Sequence, residues 1–174
     1  FKRLPEAMAG YIPFAGLFFI IMYFGMHSIF EWTHEEVVQH DHLLQFKSPY
    51  LNIPFFFIRV LIFFVAWTLM SRLLRKISLQ EDEFGGIQYF EKSEFYSKIF
   101  IFIIAFTFSA FAVDMLMSLE PHWFSTLFAA KSFIAAFMHA CSIITLIVIL
   151  LSRMGKLEML NSSHMHDFTR YIFM

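Results

Sequence analysis

The sequence predicts an all-α integral membrane fold: a four-helix-bundle transmembrane unit of four spans with the start of a fifth. Three observations carry this expectation. Hydrophobic residues make up 59% of the chain, well above the roughly 45–50% of a soluble domain. The excess lies in four long runs, each sufficient for the ~20 residues that a bilayer-crossing helix needs. The basic residues fall almost entirely on one side of those runs, as they do when loops sort across a membrane.

The first span covers about residues 7–30, preceded by Lys2 and Arg3. It carries Gly10, Pro13, Gly16 and Gly25, and small residues let membrane helices approach closely. Its apolar run is too long, and lacks the small-residue cleavage site, for a signal peptide. Residues 31–52 read as a polar loop in which His34, Glu35, Glu36, His40, Asp41 and His42 crowd together. There is no HExxH helix and no repeated ligand spacing, so the pattern favours a solvated, partner-docking loop over a metal site. The second span, about 54–77, closes on Arg72, Arg75 and Lys76. Residues 78–98 read as a charged loop turning at Gly85-Gly86. The third span is about 99–119 and the fourth about 127–151, followed by Arg153 and Lys156. A fifth helix is expected near Phe168, and with it a longer multi-span parent chain.

Between the third and fourth spans lies a corner, Ser118-Leu119-Glu120-Pro121-His122-Trp123. Pro121 disfavours helix at Glu120 and suits the first turn of a following helix. His122 and Trp123 are amphipathic groups suited to a membrane surface. Lys2, Arg3, Arg72, Arg75, Lys76, Lys92, Lys98, Arg153 and Lys156 share one side, whereas the other side's loops hold only Lys47. The N-terminus is therefore expected in the cytoplasm, with the His-rich loop and the corner across the membrane. The net charge of −1 says little beside this asymmetry, and no nucleic-acid partner is expected. The single cysteine, Cys141, excludes an internal disulfide and any CxxCH haem attachment. It is expected to be a small buried hydrophobe.

Arg59, Asp114 and Lys131 lie inside spans. Each needs a partner, water or a shallow depth, because a charge at a helix centre costs ~2.5–3.5 kcal/mol on insertion scales. All three belong to the corner-side third, roughly 6–8 Å deep at helical rise. Thr107, Ala110, Asp114 and Ser118 share one face of the third span. Lys131, Ala135, His139 and Ser142 share one face of the fourth. Asp114 can meet either Lys131 or Arg59. One outcome is an ion pair, with the remaining cation snorkelling to the surface. The other is a proton relay or the edge of a quinone site.

Asp114, followed by Met117-Ser118-Leu119-Glu120-Pro121-His122-Trp123-Phe124-Ser125-Thr126, resembles the signature of the ActF- and ActC-type membrane subunits of bacterial alternative complex III. That complex is a quinol:electron-acceptor (cytochrome c) oxidoreductase. Further stretches resemble the ActF type, or quinone-binding subunit 2: Arg3-Leu4-Pro5-Glu6-Ala7-Met8, Glu31-Trp32-Thr33-His34, Tyr50-Leu51-Asn52 leading to Arg59 and Trp67, and His166-Asp167. Met115 stands where that pattern has Trp, and Lys131 where it has an uncharged residue. The resemblance implies an NrfD/polysulfide-reductase-like fold in a bacterial inner membrane. It implies no cofactor bound by this chain, a quinone within reach, and haem c and iron–sulfur clusters in partner subunits. An ActC-like membrane subunit would be a neighbour and the better candidate for the working quinol site.

On this reading the chain carries protons or shapes a quinone pocket. Asp114 accepts or passes protons, Arg59 tunes it and His139 extends the path inward, with Thr107, Ser118 and Lys131 beside it. The rival is a purely structural anchor, holding peripheral redox subunits through the 31–52 loop and the corner residues Glu120, His122 and Trp123. Half of a secondary transporter is a third class, disfavoured by the lack of a broken helix outside Pro13.

Overall fold

The computed structural model describes residues 3–155 and Arg170. The expected fifth helix near Phe168, together with Lys2, Lys156 and His166-Asp167, lies outside the described residues. Within them the regular elements are all helical, and four helical segments are long and apolar enough to cross a membrane.

The first segment, Arg3–Ile29, is interrupted. It consists of α1 (Arg3–Ala9), α2 (Ile12–Ile21), a 3-10 turn (Met22–Gly25) and α3 (Met26–Ile29). The break at Gly10 and Tyr11 is followed by Pro13 in the first turn of α2, where its missing N–H leaves no bond unmade. The next long helix, α6 (Ile53–Phe84), starts at an Asn52 cap whose side chain accepts from the Phe55 N–H at 3.0 Å. α7 (Ile87–Met115) follows, and α8 (Phe128–Arg153) ends the described membrane segments.

Residues 78–98 are not a loop. α6 runs to Phe84 and α7 begins at Ile87, so only Gly85 and Gly86 connect them, at φ +66° and +98°. α6 alone is about 48 Å long at 1.5 Å per residue, well beyond a ~30 Å hydrocarbon core. The charged flanks are rich in Glu, Gln and Lys, which are good helix formers, so both helices continue past the apolar stretch. Exposed Glu94 and Lys98 pair along α7 at 2.6 Å. Arg3 reaches over to Glu6, Asp82 and the Ser78 carbonyl, tying the start of the chain to α6.

Residues 31–52 are also more than a solvated loop. They form a 3-10 turn (Glu31–Thr33), α4 (Glu35–His40) and α5 (His42–Lys47). Trp32, Leu44 and Leu51 are buried against Met26, Phe30, Phe56 and Val60. The rings of Phe30, Trp32 and Phe56 lie 5.2–5.6 Å apart, in tilted or edge-on contact. Such pairs add about 0.5–1.5 kcal/mol each beyond area burial. The core therefore sits at the corner end of the molecule, under the loop.

Packing among the spans is mainly sequential: α2 on α6, α6 on α7, α7 on α8. Trp67 Nε1 on α6 donates to Thr107 Oγ1 on α7 at 2.8 Å, tying the central pair together near mid-span. Of the residues of α8 only Val148 is buried, so that helix turns most of its apolar surface outward.

Candidate functional site

The site grows from the start of α6 and the end of α7. Asn52 sets where α6 begins, which places Arg59 two turns in. Asp114 is the penultimate residue of α7. The two helices bring these side chains together in the buried interior, with Asp114 fully enclosed. Arg59 Nε donates to Asp114 Oδ2 at 2.9 Å, and Nη2 donates to Oδ1 at 3.1 Å. This is the two-pronged geometry that a guanidinium offers a carboxylate. The third nitrogen, Nη1, donates to the Tyr50 carbonyl at 3.0 Å.

The guanidinium is also held between two rings. Its central carbon lies 3.9 Å from the Tyr50 ring centroid and 4.3 Å from that of Phe55. Arg is suited to such stacking as Lys is not. Burial, then the negative charge of Asp114 and a hydrogen bond to it, hold the Tyr50 phenol above its ordinary value, against the lowering by Arg59. Tyr50 is partly exposed, so the ring that lies against Arg59 itself reaches the surface. Ser118 is buried beside the pair, and its hydroxyl donates to the Asp114 main-chain carbonyl.

Of the six candidates inside the spans, Asp114, Arg59 and Ser118 come together. The choice left open for Asp114 resolves to Arg59. Lys131 is exposed on the first turn of α8 and makes no ion pair among the described residues. His139 is exposed near the middle of α8, with Nδ1 bonded back to the Ala135 carbonyl at 2.6 Å. Thr107 serves Trp67, two turns along α7 from Asp114, and donates to the Ile103 carbonyl. Cys141 is half-buried rather than enclosed.

The corner is longer than the proline rule implies. Pro121 is buried in a turn, and α8 starts only at Phe128. The intervening chain is clasped by the 31–52 loop. Lys47 Nζ donates to the Pro121 carbonyl at 2.6 Å, and His122 Nε2 meets Asp41 Oδ2 at 2.7 Å. Asp41 also caps α5 through the N–H groups of Leu43 and Leu44. Desolvation pushes its carboxyl up, but those N–H groups and His122 together hold it below its ordinary value. Trp123 packs edge-on against Phe128 and, like Glu120, stays exposed. Among the described residues no group of three His, Cys, Asp or Glu side chains is arranged to hold a metal ion.

Tyr50, Phe55, Asp41 and Lys47 belong to this site and are not evident as site residues in the sequence. Phe55 had a usable signal, since it stands four residues before Arg59 on one helix. Asp41 had one as a cap before α5. The Lys47–Pro121 and Asp41–His122 contacts join distant segments and have no local signature. The sequence matches no family model and no curated protein.

Proposed function

We propose that this chain is a membrane subunit of a quinol:electron-acceptor oxidoreductase of the alternative complex III type. The proposal places it in a bacterial inner membrane with the N-terminus cytoplasmic and the corner periplasmic. The motif around Asp114 and the corner suggests the complex, and the positive-inside rule suggests the orientation. Haem c and iron–sulfur clusters are then the business of partner subunits. Within the chain, Arg59–Asp114 acts as a clamp that fixes the periplasmic end as a docking platform. One observation carries this choice: both oxygens of a fully enclosed carboxylate are taken up by Arg59. A group so engaged is better placed to hold two helices and a loop than to exchange protons.

A proton path is the second reading, and the Tyr50 contact favours it. A partly exposed phenol that is pushed up in part by the Asp114 carboxylate offers a short way to the periplasm. The complex-level proposal is tested by isolating the tagged full-length chain from its native membranes. Haem c absorbance and quinol oxidation are expected to co-purify with it. A chain that brings down neither is not a subunit of such a complex.

A further inference from the structure

Two concavities on the face between α2 and α6 meet end to end. The larger, about 570 Å³, is an apolar groove whose walls include Gly16 and Leu17 of α2 and Leu61 and Phe64 of α6. Gly16 lets the helices approach closely here, since a Cβ at that position would lie 3.3 Å from the Phe64 ring. On α6 the groove extends from Phe57 to Leu69, about 18 Å at helical rise. That is the depth of one leaflet of a ~30 Å hydrocarbon core.

The smaller concavity, about 290 Å³, continues the groove toward the basic end and shares Pro13 and Thr68 with it. Its lining changes character: Ser71, Arg72 and Arg75 of α6 face Glu6 and Gly10 of the first segment. Arg72 and Arg75 are exposed and make no ion pair among the described residues. The one carboxylate present, Glu6, is already paired with Arg3 at 3.0 Å. An apolar trough one leaflet long thus ends at two guanidinium groups that have no counter-charge among the described residues.

From this juxtaposition we infer that the cleft between α2 and α6 binds one anionic phospholipid. An acyl chain lies along the groove past Gly16, and the phosphate sits against Arg72 and Arg75. The guanidinium fork suits phosphate oxygens, and the Thr68 hydroxyl, which lines both concavities, stands between chain and headgroup as a further donor. A quinone fits less well, because its neutral head would leave both arginines without a counter-charge. The inference does not depend on membership of a redox complex.

Native mass spectrometry of the full-length protein, exchanged into detergent with either phosphatidylglycerol or phosphatidylethanolamine, tests it. One phosphatidylglycerol is expected to stay bound in clear preference to phosphatidylethanolamine. Arg72→Gln with Arg75→Gln should weaken retention roughly twenty-five-fold, the product of about fivefold for each arginine near an anionic headgroup. Arg72→Lys with Arg75→Lys should keep most of the binding. Arg153→Gln, at the same end but outside the cleft, should change nothing. Leu61→Trp fills the groove while leaving both arginines, and should also expel the lipid. Equal retention of the two lipids by the unaltered protein would overturn the inference. So would full retention by the Gln pair, full retention by Leu61→Trp, or displacement of the lipid by equimolar ubiquinone.

Discussion

At the scale of single residues, the Arg59–Asp114 pair decides between a clamp and a relay. Removing one member leaves the other charged and enclosed, which costs about 3–5 kcal/mol. Asp114→Asn should therefore lower the amount of assembled complex, with turnover per assembled complex retained. A relay gives the reverse: normal assembly and lost quinol-driven turnover. The double change Arg59→Met with Asp114→Leu separates these accounts further. Well-packed apolar replacements for a buried pair are often neutral or stabilising. The double variant should then assemble better than either single variant, as read by yield and thermal stability of the purified complex. Assembly of the double variant no better than the singles would argue against the clamp. Asp41 makes a second residue-scale case. Its ordinary value is 3.8, and in the folded protein it lies lower. A depressed carboxyl lends stability that is present above the unfolded value and lost as pH falls through the folded one. Protection of the Leu43 and Leu44 amides, relative to the unstructured exchange rate at each pH, should hold from neutral pH to below 3.8 and then fall. Asp41→Ala should make the same amides exchange fast at neutral pH.

At the scale of elements, the turn between α6 and α7 rests on backbone geometry that only glycine adopts freely. Gly85 has φ +66° and ψ −175°, a region in which other residues are strained by about 1–3 kcal/mol. Gly85→Ala should destabilise the α6–α7 hairpin by that order in a detergent-titration unfolding curve, although a Cβ there meets no neighbouring atom. If all four segments cross the membrane, the connection lies on the opposite side from α4. In a Cys141→Ala background, cysteines at exposed Gln39 and Gln88 should label from opposite faces of sealed cells. Labelling from one face would exclude the four-span arrangement. These elements show what the sequence could convey. Hydropathy marks the apolar stretch of α6 and α7, but it measures membrane thickness and not helix length, so the continuations around Gly85 read as loop. Trp32, Leu44 and Leu51 are isolated apolar residues in a polar stretch, with no period to reveal that they close a core. Pro121 disfavours a helix just before it yet cannot require one just after, and tertiary contacts from Lys47 and Asp41 hold that segment in a turn. The Arg59–Asp114 pairing was partly legible, because two opposite charges at similar depth in neighbouring spans have few other places to go.

At the scale of the whole molecule, the outward face of α8 is the feature the described chain leaves unmatched. Its side chains are mostly apolar, yet Lys131, His139 and Ser142 are exposed along it. Lys131 stands on the first turn, where its stem can carry the ammonium to the surface. His139 lies too deep for that. Its Nδ1 must be the donor to the Ala135 carbonyl, since a carbonyl oxygen only accepts, so in the neutral ring Nε2 is left as an acceptor. Among the described residues nothing donates to it. Polar groups at this depth generally face a protein interior or water rather than lipid, and hydrogen bonds between membrane helices contribute about 0.6 kcal/mol on average, up to about 1.7. On the proposed function the missing donor belongs to a helix of a neighbouring membrane subunit. His139→Leu should then leave insertion and hydrogen-exchange protection of the Arg59–Asp114 end unchanged. It should lower co-purification of partner subunits several-fold in stringent detergent, whereas His139→Gln, which keeps an acceptor, should restore part of the loss. Co-purification unchanged by His139→Leu would mean that no partner subunit is held through His139.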